Sequence, residues 1–344
     1  MKAAQLHGPR DLRLVDLAPP VARPSEALIR VGRAGICGSD IHYFSHGRVG
    51  RFVPRRPLVL GHEFAGTIVA TSEGVNEGLV GTRVTVDPSM PCAHCTYCRS
   101  GRYNLCEDMK FFGSASCDPH LDGGFSEYVS APVANCYRIA DHLSFGEAAM
   151  AEPLSVAVHA VMRSCIVPGK SALITGGGTI GQLIALVLRA FGARRVVVSD
   201  LAAFQRDTAF ACGADLVLDA ADADFQQTAV AASGGGFDIV FEASGSEAAL
   251  AQGLAAARRG ATIVQVGTLP ASVTLPLNDL MARELKLVGS FRFANVFTTA
   301  LGLVESRRVD VRPLISAVYP LTDVAAAMDR AVAKADTIKV QLEP

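Results

Sequence analysis

The chain has 344 residues, of which 50% are apolar and 19% charged, and its formal net charge is −1. This composition excludes a disordered chain and leaves room for two domains, since one domain takes roughly 100–200 residues. The near-neutral charge, without a run of five basic residues, argues against nucleic acid as a partner. The first residues are interrupted by charges and do not resemble a secretory signal.

Nine cysteines without a secretory signal favour reduced thiols and metal ligation over a disulfide framework. We therefore expect a cytoplasmic protein. One charge-free stretch, residues 171–188, reaches the length of a minimal membrane span, but it contains a glycine-rich turn. A buried strand, turn and helix explain this stretch better, so we expect no membrane as a partner.

The first part of the chain, up to about residue 150, is predicted to form short β-strands with Gly and Pro between them. The predicted strands are residues 12–17, 26–36, 64–74 and 81–88. Between them lie Cys37 in GICGSD, and His62 and Glu63 in GHE. One sulfur, one nitrogen and one oxygen ligand leave a position for water or substrate, which is typical of catalytic zinc. From spacing alone, packing residues are the alternative.

A second set of candidate ligands follows in CAHCTYCRSGRYNLC. Four thiolates at this spacing can surround one tetrahedral zinc ion and leave no vacant position, as in a structural site. Buried free thiols or an iron–sulfur site are the alternatives. His94 inside this segment is interpreted as a loop residue. The four predicted ligands are Cys92, Cys95, Cys98 and Cys106.

From about residue 147 the pattern changes to helices and buried strands. Residues 148–163 are predicted to be helical, and strands then alternate with helices, as in a parallel sheet covered on both faces. The predicted strands are residues 171–175, 195–200, 214–219, 238–244 and 261–267. The predicted helices are residues 179–192, 207–213 and 247–260. Helices at residues 300–308 and 323–334 and a strand at 338–342 complete the chain.

The segment GGGTIG fits the G-x-G-x-x-G pattern with Gly176, Gly178 and Gly181, after a strand and before a helix. We expect these residues to bind a dinucleotide pyrophosphate at the helix amino terminus. Asp200 ends the next strand and is expected to bind the ribose 2′-hydroxyl, which favours NAD over NADP. Three nearby arginines leave NADP possible: Arg194, Arg195 and Arg206. A glycine-rich turn of an unrelated α/β domain is the alternative.

Five segments follow one another along the chain: GICGSDIHYF, VLGHEFAG, the four-cysteine segment, EPLSVAVHA and the glycine motif. Together they resemble the zinc-dependent medium-chain dehydrogenases over essentially the whole chain. HYF after GSD, and Glu63 after His62, resemble the polyol (sorbitol) dehydrogenase branch. The resemblance implies an α/β protein with a GroES-like β-rich catalytic domain, residues 1–153 and 290–344, and a doubly wound Rossmann nucleotide-binding domain, residues 154–289. It also implies a homo-oligomer, a tetramer or a dimer.

The resemblance assigns residues to roles. Cys37, His62 and Glu63 match catalytic zinc ligands, and Glu152 matches a carboxylate that ligates the ion or holds water beside it. The four cysteines match a structural zinc set, which many sorbitol dehydrogenases lack, so we expect two zinc ions per chain. Ser39 and His42 match positions of a proton relay. Expected cofactor contacts are Gly176, Gly178, Ile180, Gly181, Asp200, Gly267 and Arg292.

The resemblance also bears on the substrate. Tyr43 and Arg292 match substrate-pocket positions, and two blocks, MKFFGSASCDPHLDGGFSEYV and GSFRFANVFTTA, resemble sugar-acid dehydrogenases of this branch. An acid needs a partner for its carboxylate, for which Arg292 is the first candidate and His120 the second. The alternatives are a contact of Arg292 with cofactor or a neighbouring subunit, and a loop role for His120. We expect oxidation of a secondary alcohol of a sugar acid or, alternatively, of a neutral polyol; a zinc-stabilised NAD-binding sensor is the non-enzymatic alternative.

Overall fold

The computed structural model describes residues 1–165 and 168–344. The β-strands are β1 Lys2–Gly8, β2 Asp11–Asp16, β3 Glu26–Gly35, β4 Leu58–Val59, β5 Glu63–Thr71, β6 Arg83–Val86, β7 Ser89–Met90, β8 Lys110–Phe111, β9 Tyr128–Pro132, β10 Cys136–Arg138, β11 Ser171–Thr175, β12 Arg195–Asp200, β13 Leu216–Asp219, β14 Phe237–Glu242, β15 Ala257–Gln265, β16 Lys286–Gly289, β17 Ile315–Pro320 and β18 Lys339–Glu343.

The α-helices are α1 Gly38–His46, α2 Thr96–Arg99, α3 Phe145–Ala149, α4 Ala151–Arg163, α5 Thr179–Ala190, α6 Ala203–Ala211, α7 Phe225–Ser233, α8 Glu247–Ala256, α9 Leu277–Ala282, α10 Phe297–Glu305 and α11 Val324–Ala333. Within the described residues, no helix combines the length and apolar character that crossing a membrane requires.

The chain divides into two compact units. The first unit contains Met1–Glu152, Phe297–Arg307 and Ile315–Pro344, and the second contains Pro153–Val296 and Arg308–Leu314. Residues 153, 290–296 and 308–314, which the predicted division assigns to the catalytic domain, lie in the second unit. The first unit is therefore built from three stretches of chain, and its last strands follow the second unit in the sequence.

The first unit is organised by a mostly antiparallel sheet in the order β10-β6-β5-β3-β18-β17, with β9 also paired to β3. Strand β3 is central: it pairs with β5 and β9, and through Ala34 and Gly35 with β18. Its inward side chains Ala27, Ile29 and Val31 belong to the buried core. The carboxyl end of β3 lies between β5 and β18, and this position is where the metal-binding candidates meet.

The second unit contains a six-stranded parallel sheet in the order β13-β12-β11-β14-β15-β16. Every residue of β11 and β14 is buried, as expected of central strands in a sheet covered on both faces. The strand order reverses between β11 and β14, which is the switch point where doubly wound sheets bind ligands. The predicted doubly wound α/β sheet is confirmed.

Several predicted elements differ from the structure. The predicted helix 247–260 ends at Ala256, and the next four residues begin β15. The predicted helix 148–163 is divided into α3 and α4 on either side of Met150. Residues 38–46, within the part predicted to be β-rich, form α1. At the start of β15 pairing of Ala257 with Phe237 overrides helix propensity, whereas α1 begins at a local capping box formed by Cys37 and Asp40.

Candidate metal sites and cofactor crevice

Cys37, His62 and Glu63 come together in the first unit, each offering a ligand atom, with these atoms all within 4.8 Å of one another. Cys37 immediately precedes α1, and Glu63 is the first residue of β5. His62 and Glu63 are buried. The three side chains therefore converge although one of them is 25 residues or more from the others in the sequence.

Asp40, which sequence reasoning missed, ties this group together. Its carboxylate accepts hydrogen bonds from the backbone N–H groups of Cys37, at 2.9 Å, and Gly61, at 3.4 Å. Asp40 Oδ1 also lies 3.8 Å from Nδ1 of His62, a buried nitrogen without a hydrogen-bond partner among the described residues. A carboxylate beside one ring nitrogen is the usual surrounding of a metal-bound histidine. The GSD segment was the available signal.

Lys339, on β18, is the second residue that sequence reasoning missed. Its ammonium donates hydrogen bonds to both carboxylate oxygens of Glu63, at 2.8 and 2.7 Å, and to the carbonyl of Ile36, at 2.9 Å. Burial by itself lowers the pKa of Lys339, but the charges of Glu63 and Cys37 outweigh it and raise the pKa above the usual value. No local pattern around IKVQL indicates this contact.

The electrostatics of this group favour a cation. Burial raises the pKa of the Cys37 thiol to about 12, and the Glu63 charge adds to this effect. Burial also raises the pKa of Asp40. Several acidic groups thus share a buried site with one ammonium, and a divalent cation would stabilise their charged forms. The donor set of sulfur, imidazole and carboxylate fits zinc.

Glu152, the expected fourth carboxylate, lies in the first turn of α4 and is buried. Its carboxylate oxygens are not among the described donor atoms that lie within 4.8 Å of one another. Burial, followed by the nearby charges of Glu63 and Cys37, raises its pKa well above the usual value, while His62 opposes the shift. Glu152 is therefore a neighbour of the three-ligand group, within electrostatic reach of each member.

The two expected relay residues lie on α1. Ser39 is half-buried, one turn before the exposed side chain of His42. Burial and the neighbouring cations of His46 and Lys334 lower the pKa of His42. A neutral imidazole at this position can accept a proton near neutral pH.

Two of the expected substrate residues, Tyr43 and His120, have hydrogen-bond partners within the first unit. Tyr43 is buried, and its hydroxyl accepts from Ala115 N at 3.0 Å and lies 3.3 Å from Ser114 Oγ. His120 is engaged at both ring nitrogens, by Arg55 N at 2.8 Å and by the carbonyl of Cys117 at 2.6 Å. The structure thus gives His120 contacts that tie loops together, and it is absent from the three-ligand group.

Arg292, the third expected substrate residue, belongs to the second unit. Its backbone has φ = 51°, in the left-handed region, and its guanidinium lies 5.1 Å from the ring centroid of Phe291. A non-glycine residue in this conformation marks a locally constrained turn.

The four cysteines form a second compact group, with their sulfur atoms all within 4.8 Å of one another. Backbone N–H groups point at the sulfurs: Cys92 N at Cys106 Sγ, 3.2 Å, and Cys98 N at Cys95 Sγ, 3.5 Å. The hydrogen bond from Cys98 N is the main reason that the pKa of Cys95 falls to about 6. His94 instead binds the carbonyl of Cys92. Four thiols converging in one partly exposed loop fit a closed tetrahedral zinc site.

The glycine motif lies at the switch point of the parallel sheet. Gly176 has φ = 105°, and a Cβ there would meet Ser244 N at 2.6 Å. A Cβ on Gly181 would lie 1.8 Å from the carbonyl oxygen of Gly176, so the close approach of α5 requires glycine. Gly178 caps α5 and faces open space, where Ile180 is half-exposed on the first turn. This arrangement fits a pyrophosphate at the helix amino terminus.

Two further contacts shape the crevice. Asp200 accepts a hydrogen bond from Gly177 N at 2.7 Å and from Ala202 N at 2.9 Å. A Cβ on Gly267 would lie 2.4 Å from Gly245 N, so glycine permits the turns after β14 and β15 to touch. Asp200 and Gly267, two of the predicted cofactor residues, therefore contact the turns that follow β11 and β14 at the switch point.

Comparison with known proteins decides the family. Residues 23–141 match the alcohol dehydrogenase GroES-like domain, and residues 179–306 match the zinc-binding dehydrogenase domain. Sorbitol dehydrogenase of Bacillus subtilis is 36% identical over 348 residues, covering 100% of this chain and 97% of its own. The chain belongs to the zinc-dependent medium-chain dehydrogenases. The predicted family is confirmed, and so is the predicted fold class, a GroES-like domain plus a Rossmann-type domain.

Solved structures of other dehydrogenases superpose along the whole chain. L-idonate 5-dehydrogenase of Escherichia coli has a TM-score of 0.90 and 34% identity, covering 100% of this chain and 98% of its own. A protein described as a short-chain alcohol dehydrogenase of Escherichia coli, in complex with NADH, has a TM-score of 0.92 and 28% identity, covering 100% of this chain and 99% of its own. A Sinorhizobium meliloti zinc-binding dehydrogenase bound to NADP has a TM-score of 0.92 and 32% identity, covering 100% and 99%.

Proposed function

We propose that this medium-chain dehydrogenase oxidises L-idonate to 5-keto-D-gluconate, with NAD as the cofactor and two zinc ions per chain. The buried convergence of Cys37, His62 and Glu63 is the single observation that carries the reaction class, because a non-enzymatic NAD sensor has no need of an incomplete donor set. Substrate choice is supported by the two sequence blocks at 109–129 and 289–300, and by the similarity to L-idonate 5-dehydrogenase.

In this proposal Cys37, His62 and Glu63 hold the catalytic zinc, and Asp40 orients His62. Zinc supplies Lewis-acid catalysis, which makes a substrate hydroxyl a stronger acid near neutral pH. NAD supplies the hydride acceptor. Ser39 and His42 receive the hydroxyl proton and pass it towards solvent, because Ser39 is half-buried and His42 is exposed and neutral.

Glu152 has a separate role in the proposal. We propose that this buried carboxylate, a neighbour of the three donors, ligates the ion or holds a water molecule beside it. Arg292 is the proposed partner of the substrate carboxylate, since its fork can bond both oxygens. We do not assign this role to His120, because both of its ring nitrogens already bind within the loops.

The cofactor preference for NAD is supported by the surroundings of Asp200. Arg206, the nearest candidate for a 2′-phosphate, binds the carbonyls of Asp200 and Leu201 and pairs with Asp219 at 3.0 Å. Arg206 is therefore already engaged, and the Asp200 carboxylate at the end of β12 would repel a 2′-phosphate.

The variant Asp200→Ala tests the preference for NAD over NADP directly. We expect the ratio of kcat/KM for NADP to that for NAD to rise by about tenfold, since one hydrogen bond to a charged group is worth roughly 1.5 kcal/mol. Initial rates with each cofactor at saturating substrate measure this ratio. An unchanged ratio would show that another residue selects the cofactor.

A polyol dehydrogenase acting on xylitol, sorbitol or galactitol is the second candidate, favoured by the similarity to sorbitol dehydrogenase. An NAD-linked absorbance screen of aldonates against these polyols, with 5-keto-D-gluconate in the reverse direction, separates the two. We expect kcat/KM for L-idonate to exceed that for every polyol. Faster oxidation of a neutral polyol would replace the first candidate by the second, and no turnover in a zinc-loaded sample would favour the sensor.

A further inference from the structure

The strongest feature without an assigned role is the buried pair of Lys339 and Glu63. The ammonium has three N–H donors, and all three are used, by the two Glu63 oxygens and the Ile36 carbonyl. The side chains of Lys339 and Glu63 are 2% and 1% exposed. A full positive charge is therefore fixed against one of the three candidate metal ligands.

The fold delivers this contact across three neighbouring strands. Glu63 on β5 lies opposite Gly35 on β3, which in turn lies opposite Gln341 on β18. A Cβ on Gly35 would lie 2.1 Å from Glu63 Oε2, so the carboxylate occupies the space that a side chain would fill. Glycine at this position lets Glu63 reach across β3 to Lys339.

Holding β18 in the sheet does not by itself explain the pair. Strand β18 already pairs with β3 and β17 through its backbone, and Ile36 N donates to the Val340 carbonyl at 2.9 Å. A buried ion pair is a weak source of stability, since removing two charges from water offsets their attraction. The free-energy cost of burying both charges is better explained by an effect of Lys339 on the metal ligands.

We propose that Lys339 is a positioning residue that lowers the affinity of this site for its metal and keeps the metal electron-poor. The inference rests on the proposed metal site. With Cys37 ionised and Glu63 neutralised by Lys339, the donor set offers about one negative charge instead of two. A dication held there keeps more of its positive charge, and the ammonium repels it at short range.

This role predicts that removing the charge of Lys339 strengthens metal binding, which is the opposite of the usual effect. Changes around metal ligands commonly weaken metal binding by about 10–100-fold. Lys339→Met should instead slow zinc release from this site by about 10–100-fold. A lysine that only stabilises the sheet gives the opposite result, because its loss loosens Glu63 and speeds release.

The experiment uses the full-length, zinc-loaded protein and follows zinc transfer to an excess of a chromogenic chelator. Elemental analysis first counts zinc per chain in the wild type and in Cys37→Ser. The kinetic phase of zinc release that is missing in Cys37→Ser then belongs to this site. Lys339→Arg, which keeps the cation, is the matched control and should release zinc at close to the wild-type rate. Lys339→Gln keeps a donor for Glu63 without the charge, and it should slow release as Met does.

The outcomes separate this inference from the metal site itself. Equal zinc content in the wild type and Cys37→Ser removes the metal site, and the inference with it. If zinc is bound at this site but is released from Lys339→Met or Lys339→Gln at the wild-type rate or faster, the inference is wrong. The proposed function still stands in that case. If Lys339→Met does not fold, as judged by circular dichroism, Lys339→Gln decides the question alone.

Discussion

The two candidate metal sites of this molecule are assembled in opposite ways. The four cysteines lie within one loop of 15 residues, and their sulfurs are partly exposed and surrounded by backbone N–H groups of the same loop. The Cys37–His62–Glu63 group is held by Asp40 from α1 and by Lys339, which is 276 residues from Glu63. The first site depends on local chain, whereas the second depends on the completed sheet.

This difference suggests a division of labour. Four sulfur ligands satisfy a tetrahedral ion, so the cysteine group can organise a loop but has no position for substrate. Three ligands of mixed type, in a buried place with excess acidic groups, leave a position for chemistry. Variants of the two sites should therefore fail in different ways.

The largest effect is expected from His62→Ala or Cys37→Ser. Either change removes one of three ligands, so the site should lose its metal and turnover should fall to background while the protein stays folded. Elemental analysis should find one zinc fewer per chain, and circular dichroism should be unchanged. Full activity in either variant would refute the assignment of this site.

Cys98→Ser should affect stability more than chemistry. Loss of one thiolate opens the closed site, and we expect the melting temperature to fall by at least about 2 °C, since about 1 kcal/mol corresponds to roughly 2–4 °C in domains of this size. Thermal unfolding and kcat, measured on the same preparation, test the contrast. An unchanged melting temperature together with lost turnover would reverse the roles of the two sites.

Asp40→Asn should have an intermediate effect that is confined to the buried site. The variant loses the charge that lies 3.8 Å from His62 Nδ1, and metal affinity should fall by about 10–100-fold. Chelator titration measures this change, with Asp87→Asn as a control because Asp87 is also a buried carboxylate of the first unit. Equal affinity in both variants would exclude Asp40 as the residue that orients His62.

The smallest effect concerns the metal-free protein. The pKa of Cys95 is lowered to about 6, chiefly by the hydrogen bond from Cys98 N, so its thiolate predominates above pH 6 and declines below it. Burial raises the pKa of Cys37 to about 12, so that thiol stays protonated at neutral pH. Because the thiolate is the nucleophile, alkylation at pH 7 followed by mass spectrometry should modify Cys95 well before Cys37. Faster labelling of Cys37 would contradict this order.

The sequence was sufficient for what is encoded locally. Spacing alone predicted the four cysteines, and the glycine motif with its flanking strand and helix predicted the switch point of the parallel sheet. Strands β11 and β12 were predicted with the bounds that the structure has, because continuous apolar runs between turns leave little choice.

What the sequence did not reveal depends on distant partners. Lys339 sits in a strand whose pattern only indicates burial, and its contact with Glu63 follows from the order of β5, β3 and β18. Gly35 similarly gives no sign that a carboxylate needs its space. Residues 257–260 were predicted to be helical but begin β15, where Ala257 pairs with Phe237 of β14, so tertiary pairing overrides the local preference.

The position of β18 has a consequence for biosynthesis. Glu63 is translated 276 residues before Lys339, and at about 5–20 residues per second the interval is roughly 15–55 s. Throughout that interval the nascent amino-terminal sheet lacks β18, and the Glu63 carboxylate lacks its counter-ion. A ribosome that stalls late in this interval, after β16, leaves a chain with all six strands of the parallel sheet and an amino-terminal sheet without β17 and β18.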